Sequence, residues 1–326
     1  MFKMIPASSK GSLIFLTIIF FITSFKTYSY DGPLFDAMAQ IDETVNMKQA
    51  IKDVRNASIS KIALFARSRK FLGENEKKLI KLQKKNKDLI ILGAPKYFLH
   101  KKDISKKFTN HTLANVDKYN YAFIGEILFT HADKDHGRQH ASGETYLDPS
   151  GEGHLNFLKS ISRKKIPVMI HWEFYNWDRD FPKFSKIFSQ FPEVTFIIPH
   201  MGFGSINQID TILSSHPNVY MTISKSLKKN TSVSKEISLK IGEGMVENKV
   251  LKPDWKNLLV KYQNRFMFAT DAHKKHRWKK YNKRVKHTRK QVLRFLPNDV
   301  AKKIAYKNAE KIYGCLLYTS PSPRDA

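Results

Sequence analysis

The chain has little cysteine and no glycine-rich nucleotide-binding motif. Only one of its 326 residues is a cysteine, Cys315, which excludes an intramolecular disulfide, a cysteine zinc site and a thiol dyad. No GxGxxG sequence opens the first helical stretch, which counts against a dinucleotide-binding fold. Stability must therefore come from a buried core. Hydrophobic residues make up 41% of the chain, which is enough for one large domain.

Acidic residues are also scarce. Asp and Glu number 29 against 57 Lys and Arg, a formal net charge of +28. Lysine supplies 45 of the basic residues and is spread along the chain, whereas specific phosphate and base recognition relies on arginine. We therefore expect no specific nucleic-acid partner, but a weak attraction to anionic surfaces. The densest basic stretch, residues 274–290, is read as a solvated helix; steering of an anionic substrate or contact with anionic lipid is the alternative.

The chain lacks a hydrophobic run long enough to span a bilayer. The run in residues 13–25 is about 13 residues long, and it stands between lysines and a small-residue site at Ser29. This pattern predicts a cleaved signal peptide at residues 1–29 and an exported protein, periplasmic or secreted; an uncleaved segment would anchor it to the membrane. Residues 315–326 resemble a translated adaptor sequence and are read as a non-native tail. The predicted domain is residues 30–314.

Short apolar runs alternate with amphipathic stretches through this domain. Runs of this kind are typical of parallel strands buried on both faces. Eight of them, with helices between, predict a single-domain α/β fold, the (β/α)8 TIM barrel; a doubly wound open sheet is the alternative. The predicted strands are 34–41, 62–65, 89–93, 122–129, 167–171, 194–199, 219–223 and 265–270, and the clearest helices are 74–85, 155–165, 184–191 and 206–215.

Four of the predicted strands carry imidazole or carboxylate groups at or near their carboxyl ends. Barrel enzymes place their reacting groups there. Together such groups suit a divalent metal ion, although a single histidine is more often only a polar residue at a strand end. Glu126 lies inside an apolar strand and must be paired or metal-bound, because an isolated buried carboxylate is costly. The four residues are Glu126, His171, His200 and Asp271.

The chain resembles the amidohydrolase superfamily, specifically the amidohydrolase-related metal-dependent hydrolases with a TIM-barrel fold. The resemblance runs from residue 33 to residue 314, in order. It rests on LFDAMAQID at the start, IGEI around Glu126, VMIHWE around His171, FIIPHMG around His200, RFMFATDAH around Asp271, and the closing LPNDVAKKIAYKNAEKIYG.

The resemblance implies one metal site and a catalytic carboxylate. It implies that Glu126, His171 and His200 hold a divalent ion, with Zn²⁺ as the default and Mn²⁺ or Fe²⁺ as alternatives, and that Asp271 moves the proton. One departure is important. The family's first strand ends in His-x-His, whereas this chain has Met38 and Gln40, which are poor ligands, so a mononuclear site is expected.

Two functions remain open for the barrel itself, and a polyanion-binding surface protein is a third. The first is a hydrolase that activates water to cleave a C–N or C–O bond of a small carbonyl substrate, with decarboxylation not excluded. The second is a catalytically degenerate barrel that binds a ligand without the metal. Several further residues are candidates for substrate contact, and the sequence leaves the oligomeric state open. The candidates are Trp172, Glu173, His131 and His273, with Asp133, Asp135, His136 and His140 in the loop after the fourth strand.

Overall fold

The computed structural model is a nearly closed parallel barrel, as the sequence predicts. It describes residues 30–97, 103–132, 143–230, 233 and 235–314, so the predicted signal peptide and tail lie outside the described residues. Eight strands pair in chain order, each parallel to the next. They are β1 (Leu34–Ile41), β2 (Ile59–Ser68), β3 (Ile90–Ala94), β4 (Phe123–His131), β5 (Val168–Trp172), β6 (Phe196–Ile198), β7 (Val219–Thr222) and β8 (Phe266–Met267).

Helices follow the strands and surround the barrel. Their apolar faces pack on the strands in one continuous core. The helices are α1 (Met47–Asn56), α2 (Glu74–Lys84), α3 (Lys106–Tyr119), α4 (Glu152–Ser162), α5 (Trp177–Gln190), α6 (Ile206–Ser215), α7 (Lys235–Lys240), α8 (Pro253–Lys261), α9 (Lys275–Trp278), α10 (Tyr281–Gln291), α11 (Asn298–Lys302) and α12 (Asn308–Ile312). Short strand pieces at Lys96–Tyr97, Thr145–Tyr146, Val246–Glu247 and Val250–Leu251 lie outside the barrel order.

Backbone hydrogen bonds between β1 and the segment around β8 close the barrel. The amide of Ala37 donates to the carbonyl of Phe268 at 2.9 Å, and the amide of Asp271 donates to the carbonyl of Met38 at 2.9 Å. The amide of Gln40 then donates to the carbonyl of Ala272 at 2.7 Å. These contacts bring the carboxyl ends of the first and last strands together, so residues far apart in sequence meet at one mouth.

Close strand packing requires glycine beside the buried glutamate of β4. A Cβ atom added at Gly125 would lie 2.1 Å from the carbonyl oxygen of Ala94 on the neighbouring β3. No side chain can be accommodated at that distance without moving the backbone. Gly125 therefore allows β3 and β4 to approach closely at the point where β4 turns Glu126 into the barrel.

The main difference from the sequence-based elements is the start of α5. It begins at Trp177, seven residues before the predicted start at Phe184. The apolar spacing continues upstream, because Trp177 stacks on Phe181 with ring centroids 4.3 Å apart. Within the described residues, no helix combines the length and the apolar character needed to cross a membrane.

Candidate metal centre

The four predicted site residues meet at the carboxyl end of the barrel. Glu126 is on β4 and His171 is on β5, while His200 and Asp271 follow β6 and β8. All four side chains are buried. Because neighbouring parallel strands end at one edge, residues separated by up to 145 positions come into one cluster. The structure thus brings together the residues that the sequence singled out.

Three of these residues present ligand atoms to a common point. His171 Nδ1 lies 2.5 Å from Glu126 Oε1 and 3.3 Å from His200 Nε2. One ligand atom from each of the three residues lies within 4.8 Å of the others. Burial lowers the pKa of His200 well below its usual value, and the neighbouring His171 adds to this effect. His200 is therefore a neutral imidazole, the form that binds metal ions.

Glu173 fixes the orientation of the His171 ring from behind. Its Oε1 lies 3.1 Å from His171 Nε2, and its Oε2 accepts a hydrogen bond from the amide of Ala132 at 2.8 Å. A carboxylate that receives the outer ring N–H of a histidine is the usual support of a metal-binding histidine. The side chain is fully buried. The sequence predicted Glu173 as a substrate contact; here it lies beside His171, and with His131 and His171 it forms a second group of potential ligand atoms.

A lysine that sequence reasoning missed also enters the site. Lys96 lies just after β3, and its Nζ forms a buried ion pair with Glu126 Oε2. Burial alone would raise the pKa of Glu126, but the attraction of Lys96 and His171 outweighs it and holds the pKa well below the usual range. Burial lowers the pKa of Lys96, and Glu126 opposes that shift. Imidazoles and carboxylates at strand ends indicate a metal site, whereas a lysine such as Lys96 at a strand end carries no such signal.

Asp271 is held on both sides by donors. Its Oδ1 accepts a hydrogen bond from Gln40 Nε2 at 2.8 Å, and its Oδ2 pairs with Lys225, which follows β7. Burial would raise the pKa of Asp271, but Lys225 and His273 lower it well below the usual value. The carboxylate is therefore ionised at neutral pH and is able to accept a proton. Lys225 is the second site residue that the sequence analysis did not select.

The backbone at two of these residues adopts conformations that are costly for ordinary side chains. His200 has φ 43° and Asp271 has φ 45°, both in the left-handed region. Residues other than glycine take this region at a cost of about 1–3 kcal/mol and are concentrated at functional sites. The strain aims both side chains inward, directly after their strands. It independently marks this end of the barrel as a site.

The first strand has the departure that the sequence predicts. Met38 and Gln40 are both buried on β1, two positions apart and thus on one face. Gln40 Nε2 also lies 3.3 Å from Glu126 Oε2. Gln40 Oε1 and His200 Nδ1 are buried without a hydrogen-bond partner in the described part of the chain. Buried polar atoms usually have partners, so these two are available to a bound group.

The residues predicted to contact substrate fall into different environments. His131 stacks on His171 with ring centroids 5.3 Å apart, and His273 Nδ1 lies 3.0 Å from the Asp271 carbonyl oxygen, so both border the site. Trp172 instead stacks on Phe184 of α5, at 4.1 Å between centroids, and is fully buried. Its ring lies in the wall between strand and helix, away from the mouth. The candidates Asp133, Asp135, His136 and His140 lie outside the described residues.

The predicted basic stretch forms α9 and α10 and borders two surface cavities. They measure about 680 and 560 Å³. Both are lined by Lys286, Lys290 and Arg294. None of these three side chains is ion-paired in the part of the chain that the structure describes. This surface is separate from the cluster around His171.

Comparison with known proteins gives the family. The family model described as Amidohydrolase matches residues 137–315, more than half of the chain. The chain belongs to the amidohydrolase family. The match includes His171, His200 and Asp271. A search of curated proteins gives no match for this amidohydrolase.

Solved structures agree with the fold. An uncharacterized TIM-barrel protein from Bordetella bronchiseptica has a TM-score of 0.54 at 12% identity, over 82% of this chain and 83% of its own. A probable 2-pyrone-4,6-dicarboxylic acid hydrolase from Acinetobacter baumannii, with citric acid bound, has a TM-score of 0.51 at 12% identity, over 86% of this chain and 99% of its own. An amidohydrolase from Burkholderia multivorans with bound zinc has a TM-score of 0.51 at 10% identity, over 87% of this chain and 100% of its own. At these identities the likeness concerns the fold, and it confirms the TIM barrel.

Proposed function

We propose that this amidohydrolase is an exported, mononuclear, metal-dependent hydrolase that cleaves a C–N or C–O bond of a small carbonyl substrate. The observation that carries the proposal is the convergence of Glu126 Oε1, His171 Nδ1 and His200 Nε2 on one point. Two nitrogens and one carboxylate oxygen suit Zn²⁺, and Mn²⁺ or Fe²⁺ are compatible with the same donors.

The surroundings fit a bound cation. Glu173 supports His171 from behind, and the buried His200 is neutral. When bound, the ion would lower the pKa of a water molecule and polarise the substrate carbonyl. Asp271, ionised and held by Gln40 and Lys225, would take the proton from the attacking water and return it to the leaving group.

His131 and His273 border the site from two sides and are the candidates for contact with the substrate. Both are only partly buried, so each keeps some surface for contact with a ligand. Imidazole side chains can donate to or accept from a substrate carbonyl or hydroxyl group. The zinc and the hydrolytic activity in the names of the structural neighbours agree with this proposal.

The test is hydrolysis measured with and without metal. The purified protein, loaded with Zn²⁺ or Mn²⁺, is assayed on esters, lactones and N-acyl compounds, and again after chelation. Turnover should require the metal. Asp271→Asn should lower kcat by roughly 10²–10⁴-fold while metal content is unchanged. The control is Asp148→Asn, an exposed partner of Lys183, which should retain full turnover. Turnover that survives chelation or Asp271→Asn would contradict the proposal.

A second candidate function, a binding protein without metal, is favoured by one observation. Glu126 is already paired with Lys96, so a metal-free site has no unpaired buried carboxylate. Of the two alternatives that the sequence leaves for Glu126, pairing or metal binding, the pairing is present. Absence of both metal and turnover, together with saturable binding of a small carbonyl compound, would favour this candidate.

Two further parts of the proposal concern the N-terminal segment and the basic surface of the protein. Export rests on residues 1–29, and N-terminal sequencing of the secreted protein should begin at Tyr30. Lys286, Lys290 and Arg294, which form no ion pair within the described residues, support a weak, salt-sensitive attraction to anionic surfaces rather than a specific nucleic-acid site. Retention on heparin should fall steeply between low and physiological salt.

A further inference from the structure

Lys96 occupies a defined position on the far side of Glu126 from the histidines. It lies in the short strand piece Lys96–Tyr97, which pairs with Arg67 and Ser68 at the end of β2. Its side chain is only 6% exposed. A lysine is this deeply buried only when its ammonium group has a compensating partner, and here Glu126 Oε2 is one.

The Glu126 carboxylate serves two cation positions with its two oxygens. Oε1 lies 2.5 Å from His171 Nδ1 and faces the histidine cluster. Oε2 holds the Lys96 ammonium and lies 3.3 Å from Gln40 Nε2. The Glu126 carboxylate therefore lies between two positions that suit a positive charge. The position at Oε2 is filled by the Lys96 ammonium group, and the position at Oε1 is that of the proposed ion.

The residues around the Lys96 position are unsuited to a second metal ion. Met38 and Gln40 from β1 supply no imidazole, and Gln40 directs its amide NH₂ group, a donor, to Glu126 Oε2 and Asp271 Oδ1. An amide donor and an ammonium group would repel a metal ion. Glu126 has its positive partner there in Lys96, and both carboxylates accept hydrogen bonds from the Gln40 amide.

We propose that Lys96 is a built-in cation that takes the place of a second metal ion, so that the barrel mouth binds a single ion, on the Oε1 side of Glu126. Lys96 is thus a positioning residue. It holds Glu126 with Oε1 toward His171 and His200, and its ammonium group excludes a second divalent ion by charge and by volume. This inference rests on the proposed function, because it presupposes the ion on the histidine side.

The experiment counts bound ions in the full-length protein by elemental analysis and by calorimetric titration with Zn²⁺. The wild type should bind one ion. Met38→His combined with Gln40→His places two imidazoles on β1, and this pair variant should still bind one ion, because Lys96 remains. Adding Lys96→Met to the pair should raise the count to two. Lys96→Gln, which keeps a polar group, provides a second version in case the methionine variant does not fold.

The matched control is Lys61→Met in the same pair background. Lys61 is on β2 but points outward and donates to the carbonyl of Asp88 at the surface, so this variant should still bind one ion. Two ions in the wild type, or two in the pair variant with Lys96 intact, would overturn the role of Lys96 and leave the metal-dependent function standing. One ion in both Lys96 variants, folded by circular dichroism, would also overturn it. No ion in the wild type would refute the proposed function together with this inference.

Discussion

Asp36 is a buried carboxyl group whose ionisation should cost stability. It lies on β1 and clamps the end of the barrel's last strand. Its Oδ1 accepts from the amide of Thr270 at 2.9 Å, and its Oδ2 accepts from Thr270 Oγ1 at 2.6 Å and from the Tyr281 hydroxyl at 2.8 Å. These bonds only partly offset burial, which raises the pKa of Asp36 from 3.8 to about 6. Thr270 directly precedes Asp271, so the clamp also supports the carboxylate to which we assign the proton transfer.

Because burial raises the pKa of Asp36, this group stabilises the folded protein more at low pH than at neutral pH. In the unfolded chain Asp36 ionises near its ordinary pKa of 3.8, whereas in the folded protein it keeps its proton until about pH 6. The contribution of Asp36 to the free energy of unfolding is therefore fully present below pH 3.8 and is lost as the pH rises through 6. A shift of roughly two units corresponds to about 3 kcal/mol, of which about 2 kcal/mol is lost between pH 4 and pH 7.

The assay is urea unfolding of the wild type and of Asp36→Asn at pH 4, 5, 6 and 7. Asparagine removes the charge at similar volume. Any hydrogen-bond mismatch it introduces is independent of pH, so only the change in the stability difference matters. The variant should gain about 2 kcal/mol relative to the wild type between pH 4 and pH 7. A stability difference that stays constant across this range would refute the reasoning.

Two further predictions concern the histidine support and the barrel wall. Glu173→Gln should weaken Zn²⁺ binding roughly 10–100-fold in a calorimetric titration, because His171 loses its charged partner; unchanged affinity would mean that Glu173 does not support a ligand. Trp172→Ala should lower the free energy of unfolding by about 3–5 kcal/mol in urea, because the buried ring packs on Phe184. The control is Leu239→Ala, at a residue that is 79% exposed, and it should change the free energy of unfolding little. A small loss in both variants would contradict the packing of Trp172 between strand and helix.

The strands could be predicted because their signal is local. The run of residues 34–41 matches β1 at both ends, since a strand buried on both faces is mostly apolar, here with Asp36 and Gln40 as the two polar exceptions. The start of α5 was placed too late because the Trp177 and Phe181 contact extends the apolar face upstream of Phe184. Strand-end chemistry was equally readable for His171 and His200, since the barrel brings all carboxyl ends to one mouth.

The partners of these groups were not readable from the sequence. Lys96 is one of 45 lysines, and nothing in its local sequence separates it from those at the surface. Its role depends on the proximity of the short piece after β3 to Glu126 on β4, a contact 30 positions away. Lys225 and Asp271 pair in the same way, from two different strand ends. Trp172 faces the helices because adjacent residues in a strand face opposite sides, and it follows the inward His171.

Metal content tests most directly whether Glu126, His171 and His200 hold an ion. Protein purified without chelator is analysed as the wild type and as His171→Ala combined with His200→Ala. We expect about one equivalent of a divalent ion in the wild type and none in the double variant. No metal in the wild type, even after Zn²⁺ and Mn²⁺ are supplied, or equal metal in both proteins, would contradict it.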